Sequence, residues 1–475
     1  MYGAGGVRRD QFGGTRRPML LGSSSMTLIP PPPAYPAGAL TADLLGRMIE
    51  TGAFRPTVGD LYVHWDRLRH FEEKAVLSHE EWWAAIQLAR KAIRHRLPLR
   101  DVAGAPFQYA VPEPLHRALA EIDRDLAGSA PVPAAIADPS TRGRFLMTAR
   151  VEEAVASARL EGATLVRDAA VDLLRSGRAP TTPDERAIRN LFDAMRHVRA
   201  GAASPLTPER IREIHGIVTA GAPGLSPDEI GRFRTRDDVR LVAPDGEVLH
   251  TPPPARELET RIARLCEFAN DLDGADGWIH PVARAALVHF FLGYIHPFCD
   301  GSGPVARALF YDTMLRAGYP LVEYVSLSSV LAKAPAEYGR AYLCTETDEN
   351  DTTYFVLHQV DALARAIEAM RRSVDEKTKA RQRTHALLGG EKTFNSRQLA
   401  LLGHAMKHPG ARYTAIAHAA CHMVPDETGR ADLEVLATRG LITSVATGNL
   451  AVYHRPADFV ARLEAAGRTH RAPST

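Results

Sequence analysis

No stretch of this chain is both uncharged and long enough to cross a bilayer, so the sequence offers no helical membrane span. Cysteine is scarce. Its four copies, Cys266, Cys299, Cys344 and Cys421, lie far apart and match neither a metal-ligand spacing nor a disulfide framework, which fits a reducing cytoplasm. The formal net charge is only +2, too little to make a field that attracts nucleic acid or an acidic membrane. Outside one short region the strict polar-apolar alternation that a large sheet needs is also missing. The chain is therefore predicted to be soluble and mainly α. Its 475 residues exceed one ordinary core and predict two to four domains.

What is present divides along the chain. Residues 1–36 are rich in Gly, Pro, Ser and Arg and read as a mobile arm, with apolar pieces too short for a secretory signal. Residues 37–130 read as a helical extension, where Ser78 followed by Glu81 has the pattern of a capping box and Trp82 and Ile86 share a packing face. An Ala/Pro-rich span up to Phe145 reads as a boundary. Further helices open at Thr182 and at Thr207, and Pro244-Asp245-Gly246 marks a turn between two extended pieces. Residues 371–383 form a charged helical connector. From 385 to 465 three helices precede a Gly-Asn hairpin, the order of a winged helix-turn-helix, with the third helix starting at Thr428 and Asp432, Leu433 and Leu436 facing its core. The wealth of Ala, Arg, Gly and Pro suits a bacterial genome of high GC content.

The chemistry concentrates in residues 294–316, YIHPFCDGSGPVARALFYDTMLR. An apolar helical run delivers His296. A compact loop with Phe298, Asp300, Gly301, Ser302 and Gly303 follows, and helical spacing resumes through Val305, Ala308 and Leu309. Glycines at a helix start expose backbone N–H groups that suit phosphate. A carboxylate at Asp300 suits a hard divalent cation, and the His296 imidazole suits proton abstraction from a hydroxyl. Further upstream, Ser157 and Glu161 stand four apart on one helix face, and Gly162 ends that helix.

The loop resembles the signature of Fic-domain proteins, His-x-Phe-x-Asp/Glu-Gly-Asn-Gly-Arg-x-x-Arg. The resemblance covers about residues 145–375. It implies a helical Fic fold with a small β-hairpin flap, an N-terminal helical extension and a C-terminal winged helix-turn-helix. It also implies transfer of AMP from ATP, with Mg²⁺, to a Ser, Thr or Tyr hydroxyl of a protein. Carried over by position, His296 is the general base, Asp300 the metal ligand, and Phe298 the wedge that fixes the loop. Gly301, Ser302, Gly303 and Arg307 are then the nucleotide-phosphate partners. Ser302 replaces the family's asparagine and Pro304 its first arginine. Ser157, Glu161 and Gly162 resemble the family's inhibitory helix, which pairs Glu161 with Arg307. The segment around the Pro244-Asp245-Gly246 turn resembles the flap, with Arg234 and Val239 as its target-facing residues.

These readings imply a nucleotidyltransferase autoinhibited by Glu161. The two departures keep open a nucleotide-binding or DNA-associated regulatory scaffold whose transferase chemistry is lost or altered. The implied partner is a protein target or the chain itself. A homodimer stays open, DNA contact ranks behind a scaffold role for the C-terminal helices, and no membrane partner is implied.

Overall fold

The computed structural model describes residues 19–20, 28–34, 40–72, 76–176, 178–243, 245–272, 274, 277–387, 394–422, 424–447 and 450–468. Most of the arm therefore lies outside the described residues. Within it a short strand, β1 (Met19–Leu20), is present.

The extension opens with α1 (Ala42–Glu50), where the Thr41 side chain caps the Leu44 N–H. After the short α2 (Trp65–Leu68) comes α3 (His79–Lys91), with both hydrogen bonds of the Ser78–Glu81 capping box in place. Trp82, Trp83 and Ile86 bury against Leu44 and Met48, so the tryptophans serve a small core. An antiparallel hairpin of β2 (His95–Arg100) and β3 (Pro106–Tyr109) follows, which the sequence reading leaves unassigned. Phe107 from this hairpin meets Phe290, Phe291 and Tyr294 edge-on. With the apolar stripe Leu115, Leu119, Ile122 and Leu126 of α4 (Glu113–Leu126), it places the second half of the extension in the main core.

The span read as a boundary is helical instead. A short α5 (Ala134–Ala137) leads into α6 (Pro139–Leu160), whose proline sits at the first helical position, where the missing N–H costs nothing. Then come α7 (Arg167–Ser176), α8 (Pro183–Ala200) and α9 (Pro208–Val218). Thr182 and Thr207 cap the last two as their sequences predict. The alternating region forms an antiparallel hairpin of β4 (Leu241–Val242) and β5 (Val248–His250), with β1 added in parallel to β4.

The main core is organised around α11 (Pro281–Ile295), which packs on α10 (Leu258–Asn270), α12 (Ser302–Arg316) and α15 (Thr353–Leu387). Helix α11 is apolar apart from Arg284 and His289 and nearly all of it is buried, as expected of a helix surrounded by others. Short α13 (Ser328–Leu331) and α14 (Pro335–Thr347) complete this unit.

The C-terminal unit comprises α16 (Ser396–Lys407), β6 (Arg412–Tyr413), α17 (Ala415–His422), α18 (Asp426–Thr438), β7 (Thr443–Thr447), β8 (Leu450–His454) and α19 (Phe459–Arg468). Its antiparallel sheet has the order β6-β8-β7. Helix α18 starts at Asp426, not Thr428, since Pro425 and two acidic residues suit a helix entrance. Asp432, Leu433 and Leu436 are buried as predicted. Helix α17 packs on α6 and α7. Among the described residues no helix is long and apolar enough to cross a membrane.

Candidate active site

Helix α11 ends at His296, which takes a left-handed conformation with φ 45° while its N–H still reaches the Leu292 carbonyl at 2.9 Å. That turn aims the chain into the loop 296–301. His296 is 5% exposed, and neither ring nitrogen makes a well-formed hydrogen bond among the described residues. Burial first, and then the charge on His250, lower its pKa to about 3 despite support from the Gly293 backbone. The imidazole is thus neutral and has a lone pair available.

Two side chains outside the signature hold the loop. His215 of α9 lies flat on Phe298, ring centres 3.7 Å apart, and its Nε2 donates to the Asp300 carbonyl at 2.9 Å. Its Nδ1 accepts from the Gly231 N–H at 2.9 Å, which fixes the tautomer. Burial lowers its pKa to about 4. Arg234 donates through Nε to the His296 carbonyl at 3.0 Å, and its backbone N–H donates to the Pro297 carbonyl at 2.8 Å. Its guanidinium also serves the carbonyls of Arg236 and Pro253. The expected target-facing role of Arg234 and Val239 does not match this arrangement, because both are buried and Arg234 is committed to backbone carbonyls.

Gly301 opens α12 at φ 79°, and a Cβ there would stand 2.8 Å from Thr219 Cγ2, so side chains are excluded on both grounds. Asp300 is exposed, and its Oδ1 accepts from the Gly301 N–H at 2.7 Å. No cluster of three metal-ligating side chains exists among the described residues. An exposed lone carboxylate at a phosphate-type helix entrance fits Mg²⁺, which takes one or two protein carboxylates and completes its shell with phosphate and water. Ser302 departs from the phosphate role expected of it. It is fully buried, and its Oγ accepts from the Phe298 N–H at 3.3 Å, so it braces the loop from inside. Pro304 is buried against a void of about 10 Å³ that Glu153, Leu191 and Met195 also line.

The distant motif meets the helix that follows the loop. Arg307 Nη2 donates to Glu161 Oε1 at 2.9 Å, and its Nε and Nη2 donate to Ser157 Oγ at 3.1 and 2.9 Å. The guanidinium is 3% exposed. Burial works against its charge, but the Glu161 carboxylate outweighs this and raises its pKa. Gly162, at φ 92°, lets the chain leave α6 directly after Glu161.

Residues 205–313 match the Fic/DOC family, a span that contains the loop, both of its outside braces and Arg307. The chain contains a Fic-family domain. The chain is 32% identical over 142 residues to protein adenylyltransferase Fic of Nematostella vectensis, a match that spans 29% of this chain and 30% of that protein. It is 34% identical over 131 residues to the protein of the same name from Drosophila willistoni, spanning 27% and 24% respectively. The chain thus spans less than a third of the length of these curated relatives. A solved Fic family protein from Desulfovibrio desulfuricans aligns over 72% of this chain and 94% of its own, with 20% identity and a TM-score of 0.46. Fic-1 from C. elegans aligns over 54% and 71%, with 24% identity and a TM-score of 0.39.

The Fic domain also uses residues that the sequence reading passes over. His215 is a single histidine inside an ordinary amphipathic helix, and the one available signal is its place on the apolar face beside Ile211 and Ile214. His250 is another. Its Nε2 donates to the Tyr294 carbonyl at 2.8 Å and its Nδ1 to Glu346 Oε2 at 2.8 Å. Two acceptors on the two ring nitrogens favour the imidazolium. Burial disfavours that charge, but Glu346 prevails and the pKa is raised.

Proposed function

We propose that this Fic domain is a protein nucleotidyltransferase that moves AMP from ATP to a Ser, Thr or Tyr hydroxyl and is held off by Glu161. One observation carries the reading: a buried histidine whose ring nitrogens make no well-formed hydrogen bond among the described residues opens the loop that leads to an anion-type helix entrance, and a buried arginine of that helix is occupied by a carboxylate. The names of the relatives support the class of reaction. His296 takes the proton of the attacking hydroxyl, and arrival of the polyanionic nucleotide raises its basicity. Backbone N–H groups at the α12 entrance would hold phosphate oxygens, and Asp300 would hold Mg²⁺, which would neutralise phosphate charge when bound. Arg307, once released from Glu161, binds the terminal phosphate and aligns the α-phosphorus with the hydroxyl. The C-terminal unit serves as a scaffold, in keeping with the seat of α17 on α6 and α7.

A second reading rests on Ser302 and Pro304. The first turns inward and the second brings no charge, so two phosphate contacts of the family pattern are absent. On this reading the domain binds nucleotide without transferring it. The test is His296→Ala in purified protein with Mg²⁺ and labelled ATP. Base catalysis is worth about 10²–10⁴-fold, so transfer is lost while nucleotide affinity stays within about tenfold. Undiminished transfer in the variant rejects the assignment, and nucleotide binding without transfer in every variant favours the second reading.

A further inference from the structure

A cleft of about 470 Å³ opens between the tip of the β2–β3 hairpin, the first turns of α10 and the C-terminal end of α11. Leu99, Val102, Phe291, Tyr294 and Ile295 line it with apolar surface, and Arg100, Arg256, Thr260, Arg261 and Arg264 surround this with hydrogen-bond donors. Two carboxylates stand against the four arginines, and both are engaged inside the protein. Asp101 Oδ1 accepts from the Ala103 and Ala105 N–H groups and its Oδ2 from Asn350, while Glu257 Oε2 accepts from Arg261 at 2.7 Å. Arg264 has no hydrogen-bond or ion-pair partner among the described residues, and the Arg256 side chain is 78% exposed with Glu257 3.8 Å away. The cleft adjoins the Fic loop. Its apolar lining ends at Ile295, the residue before His296, and Arg234, which holds the His296 carbonyl, also holds that of Pro253 just ahead of Arg256. The Ala255 N–H donates to Asp237 Oδ1 at 2.6 Å, so the entrance of the cleft and the loop share one set of braces.

We propose that this cleft docks an extended acidic segment of the acceptor protein, with two carboxylates four residues apart and an apolar residue midway between them. The acceptor role rests on the transferase reading above, whereas binding at the cleft is measured without it. Arg256, Thr260 and Arg264 follow one another at intervals of four, which sets the two arginines about 12 Å apart along the helical run. A single carboxylate or phosphate does not bridge that distance. In extended chain, residues i and i+4 lie about 13 Å apart on one face, and residue i+2 points the same way. Carboxylates so spaced meet both guanidiniums, and the side chain between them enters the lining of Phe291, Tyr294 and Ile295. That lining discriminates against a ligand charged along its whole length, whose middle charges would lose water without gaining a partner. A segment seated here also lies near the β4–β5 hairpin, since Arg256 follows His250, the last residue of β5, by six positions.

The experiment uses the full-length chain and a fluorescein-labelled peptide with the core Glu-Gly-Leu-Gly-Glu. Fluorescence anisotropy should show binding that weakens about tenfold when both glutamates become glutamine, and about tenfold again when the protein carries Arg256→Gln/Arg264→Gln. The charge-reversed variant Arg256→Glu/Arg264→Glu should prefer the core Lys-Gly-Leu-Gly-Lys, a swap that general loss of structure does not produce. Calorimetric affinity for Mg-ATP stays unchanged in these variants, because neither arginine belongs to the nucleotide site. In the Glu161→Gly background, a series of these peptides with serine at increasing distance from the core should accept AMP, and Arg256→Gln/Arg264→Gln should raise KM about tenfold at constant kcat. Absence of binding, equal affinity for the glutamine peptide, a charge-reversed variant without preference for lysine, or displacement by citrate as effective as by unlabelled peptide overturns the docking site. Transfer that ignores the two arginines overturns the acceptor role and leaves the transferase reading in place. Charge-dependent binding with no transfer to any acceptor sinks the transferase reading, and the acceptor role with it.

Discussion

A Cβ at position 303 would stand 2.7 Å from Glu161 Oε1, so Gly303 gives the Glu161 carboxylate the room it occupies beside Arg307. The pair is asymmetric. Arg307 is buried at 3% exposure, while Glu161 remains 38% exposed, with solvent on one side. Arg307 is thus the enclosed member and Glu161 the solvent-facing one.

Glu161→Gln keeps size and helix propensity but removes the charge that holds Arg307. Transfer should rise about 10–100-fold, the equivalent of roughly 1.4–2.7 kcal/mol from one released charge-assisted pair. Initial rates of wild type and variant on the same acceptor check this. A variant no faster than wild type removes Glu161 from the regulation.

His215→Phe preserves the stack on Phe298 but withdraws the donor to the Asp300 carbonyl and the acceptor of the Gly231 N–H. The unsatisfied Gly231 N–H costs about 1–3 kcal/mol of stability, and the loosened loop should lower transfer at least tenfold. Chemical denaturation and single-turnover rates measure the two effects separately. Loss of stability with an unchanged rate would mean that the loop keeps its shape without this brace.

Pro304→Arg restores the family residue at a place that does not admit it. The side chain would enter a void of about 10 Å³ between α6, α8 and α12. Overpacking of this kind costs about 1–3 kcal/mol, so the variant should melt earlier and bind triphosphate no more tightly. Calorimetry on folded protein decides, and tighter binding would show that the arginine escapes toward the nucleotide.

His250 gives a pH dependence with a defined sign. Its pKa is raised in the fold by Glu346, against an unfolded value of about 6.5. Its stabilisation is fully present below the unfolded pKa and is lost as pH rises through the folded one. Wild type should therefore lose melting temperature relative to His250→Gln as pH climbs above about 6.5. A melting difference that stays constant from acid to alkaline pH would show that His250 is neutral throughout.

The loop and the helix caps are legible in the sequence because each is a short pattern of residue types with one chemical use, while the Glu161–Arg307 pair, 146 positions apart, follows only from the family resemblance. The roles of Ser302 and Arg234 are not legible. The direction in which Ser302 Oγ turns is set by the Phe298 N–H, and the role of Arg234 depends on carbonyls that include one 62 positions away. The β2–β3 hairpin hides for another reason: its PFQY strand is short, and its apolar members are selected by aromatic neighbours on α11. The reading of residues up to Phe145 as a boundary fails because Ala and Pro there start helices, a use that composition does not separate from loop.

The seat of α17 on α6 has a mechanical side. Helix α15 leaves the Fic core at one side of the C-terminal unit, and α17 touches the core again through the helix that carries Ser157 and Glu161, so the polypeptide closes a ring. A body joined to α15 and seated on α6 and α7 cannot rotate about one of these attachments without straining the others. A load applied to the terminal helices, about a hundred residues beyond the signature loop, is therefore borne in part by the same helix that carries the partners of Arg307.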